Sequence, residues 1–246
     1  MVRITAQLGI LFSGNASESL SESREELIQS LKNEGILKSK VIVDALIAIP
    51  REKFLWGGTP EFLAYSDEPQ TLGETGQTIS APHMVVIMLE ELDIRSGQKI
   101  LEIGCGSGYE AALLGWIVSQ GKAPREGNVV SVERNETLVE IATRKIVDLG
   151  LSKFVNVVLG DGTLGFPPGN KGELYDRIIV AAGARKVPSL LKSQLKSGGL
   201  LLIPVGGSSY QKLLRIRKKR SSEGSISYEE EGLVDCMFVP LIGQDQ

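Results

Sequence analysis

A glycine-rich loop preceded by an acidic residue is the feature of this sequence that points most directly to chemistry. Residues 101–108 read Leu-Glu-Ile-Gly-Cys-Gly-Ser-Gly, after an apolar run and before a helical pattern. Gly104, Gly106 and Gly108 allow a tight turn and a close approach of the backbone to a ligand, and the following helix offers free N–H groups. The acid at Glu102 would repel a pyrophosphate. The loop therefore predicts a ligand that carries positive charge.

Two further carboxylates end the next two apolar runs. Glu133 closes the second run, and Asp161 lies in the Leu-Gly-Asp-Gly segment that closes the third. The carboxyl ends of parallel strands meet at one edge of a sheet, where an acid at the second strand can accept both hydroxyls of a ribose. Asp161 could accept from an adenine amino group. With Glu102, these residues predict a pocket for adenosine attached to a cation, which is S-adenosylmethionine.

The elements that must position these residues alternate regularly from residue 98 onward. Because the predicted strands are rich in apolar β-branched residues, the alternation indicates an α/β fold with a doubly wound, mostly parallel Rossmann-like sheet. The segment 210–241 lacks the alternation and predicts an antiparallel hairpin or two. Strands are predicted at 99–103, 128–133, 155–159, 175–181 and 199–205, and helices at 109–118, 135–149 and 188–195.

The N-terminal part predicts a helical subdomain. Residues 17–26 are rich in Ser and Glu and predict a solvated stretch, before a helix that stops near Gly35. Ser39 can cap a second helix, and Ser80 a third over 82–92. The expected organisation is one catalytic domain of four parts. These are a flexible extension (1–22), a helical segment with a substrate-side loop (23–97), the cofactor-binding core (98–205) and C-terminal strands that complete the sheet (206–246).

Composition excludes several other classes of protein. The 246 residues contain 27 Lys and Arg against 30 Asp and Glu, which is too balanced for general attraction to nucleic acid. A basic run at 215–220 is followed by acids at 229–231 that could neutralise it on an opposed strand. With two cysteines, Cys105 and Cys236, and one histidine, His83, we expect no metal site. No apolar run reaches the ~18 residues of a membrane span, so we expect a soluble, cytoplasmic protein.

Several segments outside the glycine loop make the sequence resemble one family of methyltransferases. The segment 77–84 reads Gln-Thr-Ile-Ser-Ala-Pro-His-Met, and Gln-Thr-Leu-Gly precedes it at 70–73. Further along come Gly-Asp-Gly at 160–162, the segment 175–182 and Pro-Val-Gly at 204–206. Together with the glycine loop, these motifs are similar to those of the protein-L-isoaspartate O-methyltransferases. The resemblance runs from about residue 25 to Leu241.

The resemblance implies a reaction, a cofactor and a set of site residues. It implies transfer of a methyl group from S-adenosylmethionine to isoaspartyl residues of damaged proteins and peptides, leaving S-adenosylhomocysteine. Ser80 is implied as the catalytic residue, and Thr78, Ser80 and His83 as substrate contacts. A monomer is expected. The residues implied to line the cofactor are Gln77, Thr78, Ile79, Ser80, Glu102, Gly104, Gly106, Gly108, Glu133, Asp161 and Gly162.

Other functions remain open at this point. One is a methyltransferase that acts on RNA or on a small molecule, and another is a catalytically silent cofactor-binding module. A nicotinamide oxidoreductase is disfavoured, because a dinucleotide loop requires a glycine where this sequence has Tyr109.

Overall fold

The computed structural model of the chain describes residues 16–120 and 127–245. Within these residues, no helix is long and apolar enough to cross a membrane. The helices are α1 (Ala16–Asn33), α2 (Lys40–Ala48), α3 (Pro82–Leu92), α4 (Tyr109–Ser119), α5 (Glu136–Asp148) and α6 (Ser189–Gln194). The strands are β1 (Gln70–Thr71), β2 (Thr78–Ile79), β3 (Lys99–Ile103), β4 (Asn128–Glu133), β5 (Val155–Leu159), β6 (Tyr175–Val180), β7 (Leu195–Gly206), β8 (Gln211–Arg220) and β9 (Ile226–Cys236).

A seven-stranded sheet in the order β5-β4-β3-β6-β7-β8-β9 forms the centre of the molecule. The five strands β5, β4, β3, β6 and β7 are parallel to one another. In contrast, β8 pairs antiparallel with both β7 and β9. The chain therefore reverses its direction of travel across the sheet between β3 and β6. Ligands of open α/β sheets bind at such a switch point, beyond the carboxyl ends of the strands. The predicted fold class, including the C-terminal antiparallel portion, is confirmed.

Alternation along each strand divides the core between the two faces of the sheet. On β3, Ile100 packs into the cluster that contains α2 to α5, whereas Leu101 and Ile103 pack into the cluster that contains α6. Because side chains alternate with period two, Glu102 shares the face of Ile100, which α4 covers. For this reason the side chain of Glu102 points toward α4 and not toward the carboxyl ends of the strands.

The first helix is longer than the sequence predicts. The Ser- and Glu-rich stretch, which was predicted to be solvated or frayed and to precede the helix, is part of the helix, because α1 begins at Ala16. Ile28 and Leu31 anchor this helix in the core, and Arg24 Nη1 donates to the carbonyl oxygen of Ile47 at 3.1 Å. Residues 16–22 of the predicted flexible extension thus belong to α1, and residues 1–15 lie outside the described part of the chain.

The start of α3 also differs from the prediction. Ala81, not Ser80, occupies the N-cap position. The N-cap residue therefore makes no side-chain hydrogen bond to the helix. The capping acceptor comes from elsewhere, because Asp67 Oδ1 accepts from the backbone N–H of His83 at 2.8 Å. Ser80 is thereby left outside the helix, on the connection from β2.

The basic run of β8 lies beside the acidic run of β9, as predicted. Arg215 is opposite Glu231 and Arg217 is opposite Glu229 in the register of the two strands. Arg215 Nη2 lies 2.6 Å from Glu231 Oε2, and Lys219 forms a second ion pair with Glu229 at 2.8 Å. The positive charge of β8 is therefore met by carboxylates of the neighbouring strand.

Candidate active site

The glycine loop leaves β3 and enters α4 with three residues in the left-handed region. The φ angles of Gly104, Gly106 and Gly108 are +90°, +52° and +87°, which side chains rarely adopt. At Gly108 a Cβ would also stand 3.0 Å from the Cβ of Ala142 on α5. Gly108 thus serves helix packing, whereas Gly104 and Gly106 line a cavity. The loop therefore forms the tight turn that its three glycines predict.

Glu133 at the end of β4 connects the glycine loop to the β1-β2 hairpin. Its Oε2 accepts from the N–H of Gly106 at 3.0 Å, and its Oε1 accepts from Gln77 Nε2 at 3.1 Å. The N–H groups of Arg134 and Asn135 also donate to Oε1. Because the residue is only 2% exposed, these contacts hold its carboxylate at the wall of the crevice.

Glu102 lies deeper than the other acids. It is fully buried beneath α4, the hydroxyl of Ser131 donates to its Oε2, and its Oε1 has no hydrogen-bond partner among the described residues. Glu110, on the first turn of α4, also has a buried Oε1 without a partner there. Burial raises the pKa of Glu110 to about 8, and burial followed by the charge of Glu110 raises the pKa of Glu102 well above its usual range.

Asp161 is occupied by contacts within the protein. Its Oδ1 accepts from the N–H and the hydroxyl of Thr163, and its Oδ2 accepts from the N–H of Gln244 at 2.8 Å. The neighbouring Gly162 packs against β3, where a Cβ would overlap the side chain of Ile103 at 2.2 Å. We define the C-terminal tail as residues 239–245. Asp161, which follows β5, therefore holds this tail over the end of the sheet.

Two neighbouring cavities lie beyond the carboxyl ends of the strands. The first, the crevice cavity, measures about 660 Å³ and is lined by Gly104, Glu133, Gly160, Gly162 and the start of the C-terminal tail. The second, the inner cavity, contains about 430 Å³ of empty space, including the open solvent at its mouth, and lies between the glycine loop and the segment 77–80. Gln77 and Gly104 line both. Glu110 lines the inner cavity, whereas Glu102 lines neither of the two.

A third cavity, the outer groove, opens on the other side of the segment 77–80. It measures about 690 Å³ and is lined by residues that include Pro69, His83 and Phe238. Thr78 and Ser80 line both the inner cavity and the outer groove. Thr78 and Ser80 thus form a wall that the two cavities share, so each residue can contact a ligand in either cavity.

The peptide group of Ser80 is held by a buried arginine. Arg51 is 1% exposed, and its Nη2 donates to the carbonyl oxygen of Ser80 at 2.8 Å. The guanidinium lies over the ring of Tyr109, 5.1 Å from the ring centroid. Its Nε and Nη1 have no hydrogen-bond partner within the described part of the chain. The contact constrains Ser80 from the backbone side.

His83 is positioned by the carboxylate that caps α3. Its Nδ1 lies 3.0 Å from both oxygens of Asp67, in addition to the backbone bond already described. Two contacts to one carboxylate orient the ring, so that Nε2 is not engaged by Asp67. His83 reaches the outer groove but not the inner cavity.

Sequence reasoning missed Arg51, Asp67 and Glu110. Arg51 and Asp67 lie in the irregular segment 50–80, and each acts on a residue more than ten positions away. Glu110 follows the glycine loop so closely that it was available as a signal. An acid in a first helical turn is usually explained by the helix dipole, which is why the pattern did not single it out.

The fold and the site together define a Rossmann-like methyltransferase that uses S-adenosylmethionine. The family model described as protein-L-isoaspartate(D-aspartate) O-methyltransferase matches residues 22–246. The chain belongs to this family.

Relatives and solved structures of the same description cover most of the chain. A protein-L-isoaspartate O-methyltransferase of Staphylothermus marinus is 45% identical over 90% of this chain and 94% of its own. One from Methanopyrus kandleri is 43% identical over 91% and 92%. A solved structure described as a protein-L-isoaspartate O-methyltransferase has a TM-score of 0.76 at 33% identity, covering 89% of this chain and 66% of that one. A structure from Plasmodium falciparum, in complex with S-adenosyl-L-homocysteine, has a TM-score of 0.75 at 25% identity, covering 89% and 98%.

Proposed function

We propose that this protein transfers the methyl group of S-adenosylmethionine to the free carboxylate of isoaspartyl residues in proteins and peptides. The observation that carries the proposal is the position of Thr78 and Ser80 at the wall shared by the inner cavity and the outer groove. A group transfer between two ligands requires adjacent sites, and residues that line both sites lie where the reacting atoms would meet. Membership of the family supports the choice of substrate.

The residues of the crevice and inner cavities fit the cofactor. Gly104 and Gly106 form a cradle, because both line the inner cavity in the positive-φ conformation that other residues rarely adopt. Glu133 is an acceptor suited to ribose hydroxyls, and Gly160 and Gly162 line the same cavity. We assign the nucleoside to the crevice cavity and the amino-acid part to the inner cavity. Neither Glu102 nor Asp161 lines the crevice cavity or the inner cavity, so their direct contact with the cofactor stays a prediction.

The chemistry requires positioning more than proton transfer. An α-carboxyl has a reference pKa of about 3.3–3.7, so the attacking carboxylate is ionised at neutral pH before it binds. The cofactor supplies a methyl group on a sulfonium, from which a neutral thioether remains. The protein must align the reacting atoms and keep water from the carboxylate, and alignment can be worth ~7–11 kcal/mol in favourable cases.

We propose that Ser80 binds the carboxylate of the substrate. Its hydroxyl can donate to a carboxylate oxygen at the shared wall, and the N–H groups at the start of α3 favour an anion nearby. Arg51 fixes the Ser80 peptide through its carbonyl oxygen, which leaves the side chain to the substrate. Thr78 and His83 are proposed as further substrate contacts, with His83 held by Asp67 in the outer groove.

The test is transfer of a labelled methyl group to an isoaspartyl peptide, with the matching aspartyl peptide as control. We expect base-labile label on the isoaspartyl peptide and little on the other. Ser80→Ala should lower the rate, whereas Ser222→Ala, at the exposed β8-β9 turn, should leave it unchanged. Equal labelling of both peptides would refute the proposal.

The same assay separates the proposed activity from its alternatives. Base-stable label on RNA would favour the other kind of methyltransferase, and the absence of transfer with intact cofactor binding would favour a silent module. Location in the cytoplasm, a monomeric state and the absence of a nucleic-acid partner also remain predictions. Gel filtration and binding to labelled RNA would test the last two.

A further inference from the structure

Beside the inner cavity lies an acidic pair that the proposed mechanism does not use, and one member of the pair, Glu110, lines this cavity. Glu110 reaches the cavity from the first turn of α4, and Glu102 lies beneath the same helix on β3. Each carboxyl has one buried oxygen without a hydrogen-bond partner among the described residues. An unpartnered buried carboxylate is costly, so this arrangement indicates that something else compensates it.

The groups around the pair do not supply that compensation. The groups that act on Glu102 are Glu110 and Glu133, which are acids, and the hydroxyl of Ser131. The other titratable groups on this side are the thiol of Cys105, on the loop, and the phenol of Tyr109, on α4. Two cations of the described residues lie on this side. Arg51 lies over the ring of Tyr109 and donates to Ser80. Lys145 on α5, which interacts with Cys105, donates to the carbonyl oxygen of Phe54. The pair therefore carries either negative charge or a bound proton, and it meets the inner cavity through Glu110.

We propose that Glu110, supported by Glu102, is a subsite for the positive charge of the sulfonium of S-adenosylmethionine, and that the cofactor binds there with loss of a proton from the pair. The inference rests on the proposed function, because it places the amino-acid part of the cofactor in the inner cavity. It adds a residue that distinguishes the charged cofactor from its product, in which the sulfur is neutral.

The proton balance follows from the charges. With the cavity free of a cation, burial holds a proton on the pair, since the pKa of Glu110 lies at about 8. Entry of the sulfonium favours the ionised carboxylate, and the proton passes to solvent. Methyl transfer removes both the sulfonium charge and the charge of the substrate carboxylate. Release of the thioether then leaves the pair to take up a proton from solvent.

Calorimetry of cofactor binding tests this without the methylation reaction. The natural chain is titrated with S-adenosylmethionine and with S-adenosylhomocysteine in two buffers of different ionisation enthalpy at pH 7. We expect S-adenosylmethionine to release close to one proton more than the product does. The affinity ratio of cofactor to product should rise up to about tenfold per pH unit below pH 8 and level above it. The ammonium group that both ligands share cancels in this ratio.

Glu110→Gln should remove the difference between the two ligands. The amide resembles the protonated carboxyl in shape, so we expect the variant to fold, with a melting temperature close to that of the natural chain at low pH. Its affinity for S-adenosylmethionine should fall roughly tenfold or more, and its affinity for the product much less. The matched control is Glu140→Gln, an exposed acid on α5 that should change neither quantity.

Two outcomes would overturn the inference while leaving the proposed function standing. One is equal proton release by both ligands, which would place the shared ammonium group at the pair. The other is an affinity ratio that varies with pH in the same way in Glu110→Gln as in the natural chain. If the natural chain bound neither ligand, the proposed function itself would fail, and the inference would fail with it.

Discussion

Glu133 makes the most widely distributed contacts of any site residue, because one carboxylate accepts from the hairpin, the glycine loop and the approach to α5. Removing this acid would take away a proposed ribose acceptor and release Gln77 and Gly106 at the same time. At the scale of single residues, binding groups in this site are also the groups that shape it. Substitutions are therefore most informative where one contact can be changed alone.

Glu110→Gln is a substitution of this kind, and its effect can be measured on the stability of the protein without cofactor. The pKa of Glu110 is raised from the usual value to about 8, so the folded chain binds more protons than the unfolded chain between those two values. Stability should therefore be greatest at low pH within this window and fall as pH rises through about 8. We expect the melting temperature of the natural chain, measured without cofactor, to fall over this window more steeply than that of Glu110→Gln. Parallel curves would contradict the assignment.

Arg51 allows positioning to be separated from stability. Arg51→Met keeps an apolar stem against Tyr109 but removes the hydrogen bond to Ser80 and an incompletely bonded buried cation. The substitution removes an incompletely bonded buried cation but leaves the Ser80 carbonyl oxygen without its donor, at a cost of about 1–3 kcal/mol, so the melting temperature should fall moderately. The rate at saturating substrates should fall about tenfold or more, because Ser80 loses its anchor. A loss confined to stability would mean that Arg51 does not position Ser80.

At the scale of elements, the junction between the β1-β2 hairpin and α3 carries the proposed chemistry. β2 ends at Ile79 and α3 begins at Pro82, and Ser80 lies on the short connection between them. Arg51 holds this connection from one side, and Asp67 holds the first turn of α3 from the other. Both contacts come from the segment 50–80, whose irregular backbone places side chains that a helix could not bring there.

Asp67 should contribute to stability and to substrate binding through the same carboxylate. Asp67→Ala removes the cap of α3, at a cost of about 1 kcal/mol and hence roughly 2–4 °C in melting temperature. It also frees the ring of His83, so the KM for the isoaspartyl peptide should rise more than kcat falls. Asp67→Asn keeps an acceptor for the helix N–H and should recover most of the stability. If Asn and Ala were equally destabilising, the cap would not be the cause.

At the scale of the whole molecule, the C-terminal tail joins the far end of the sheet to the crevice cavity. Its residues Val239 and Leu241 bond with the backbone of Gly183, and Gln244 donates to Asp161. Ile242 lines the crevice cavity although it is 52% exposed. A short tail thus covers the part of the site that we assign to the nucleoside.

Gly243→Ala should loosen this cover without shortening the chain. A Cβ at this position would stand 2.1 Å from Asp161 Oδ1, so the tail would have to move off the acid. We expect a several-fold loss of S-adenosylmethionine affinity in calorimetry and a small change in melting temperature. Gly207→Ala is the matched control, because a Cβ there meets nothing within 4 Å. Unchanged affinity in Gly243→Ala would show that the tail does not contribute to the cofactor site.

The N-terminal end gives a second prediction for the whole chain. Removal of residues 1–20 keeps Ile28 and Leu31, two buried residues of α1, and should change the melting temperature only slightly. Removal of residues 1–31 takes both apolar side chains from the core, at about 1.5–3 kcal/mol each. Thermal unfolding of the two truncated chains checks this difference. Similar large losses in both would show that residues 1–20 also pack on the domain.

The sequence by itself determined the sheet and the cofactor loop, since their signals are local. The predicted bounds of β3, β4 and β5 agree with the structure, because apolar β-branched runs between turn residues specify strands over a few positions. The glycine loop was predictable for the same reason, since a positive φ restricts residue type at the position itself. The segment 77–84 was available through its resemblance to the family, not through physical reasoning alone.

Only the tertiary structure decided which side chains meet at the site. Glu102 reads as a crevice acid in sequence, but the alternation of β3 turns it beneath α4 toward Glu110. Ser80 reads as a helix cap, yet Asp67 takes that place from a distant loop. Arg51 reaches Ser80 across 29 positions of irregular chain. Such contacts depend on how separate elements pack, and no local pattern of residue types records the distance between two side chains that approach only when the chain is folded.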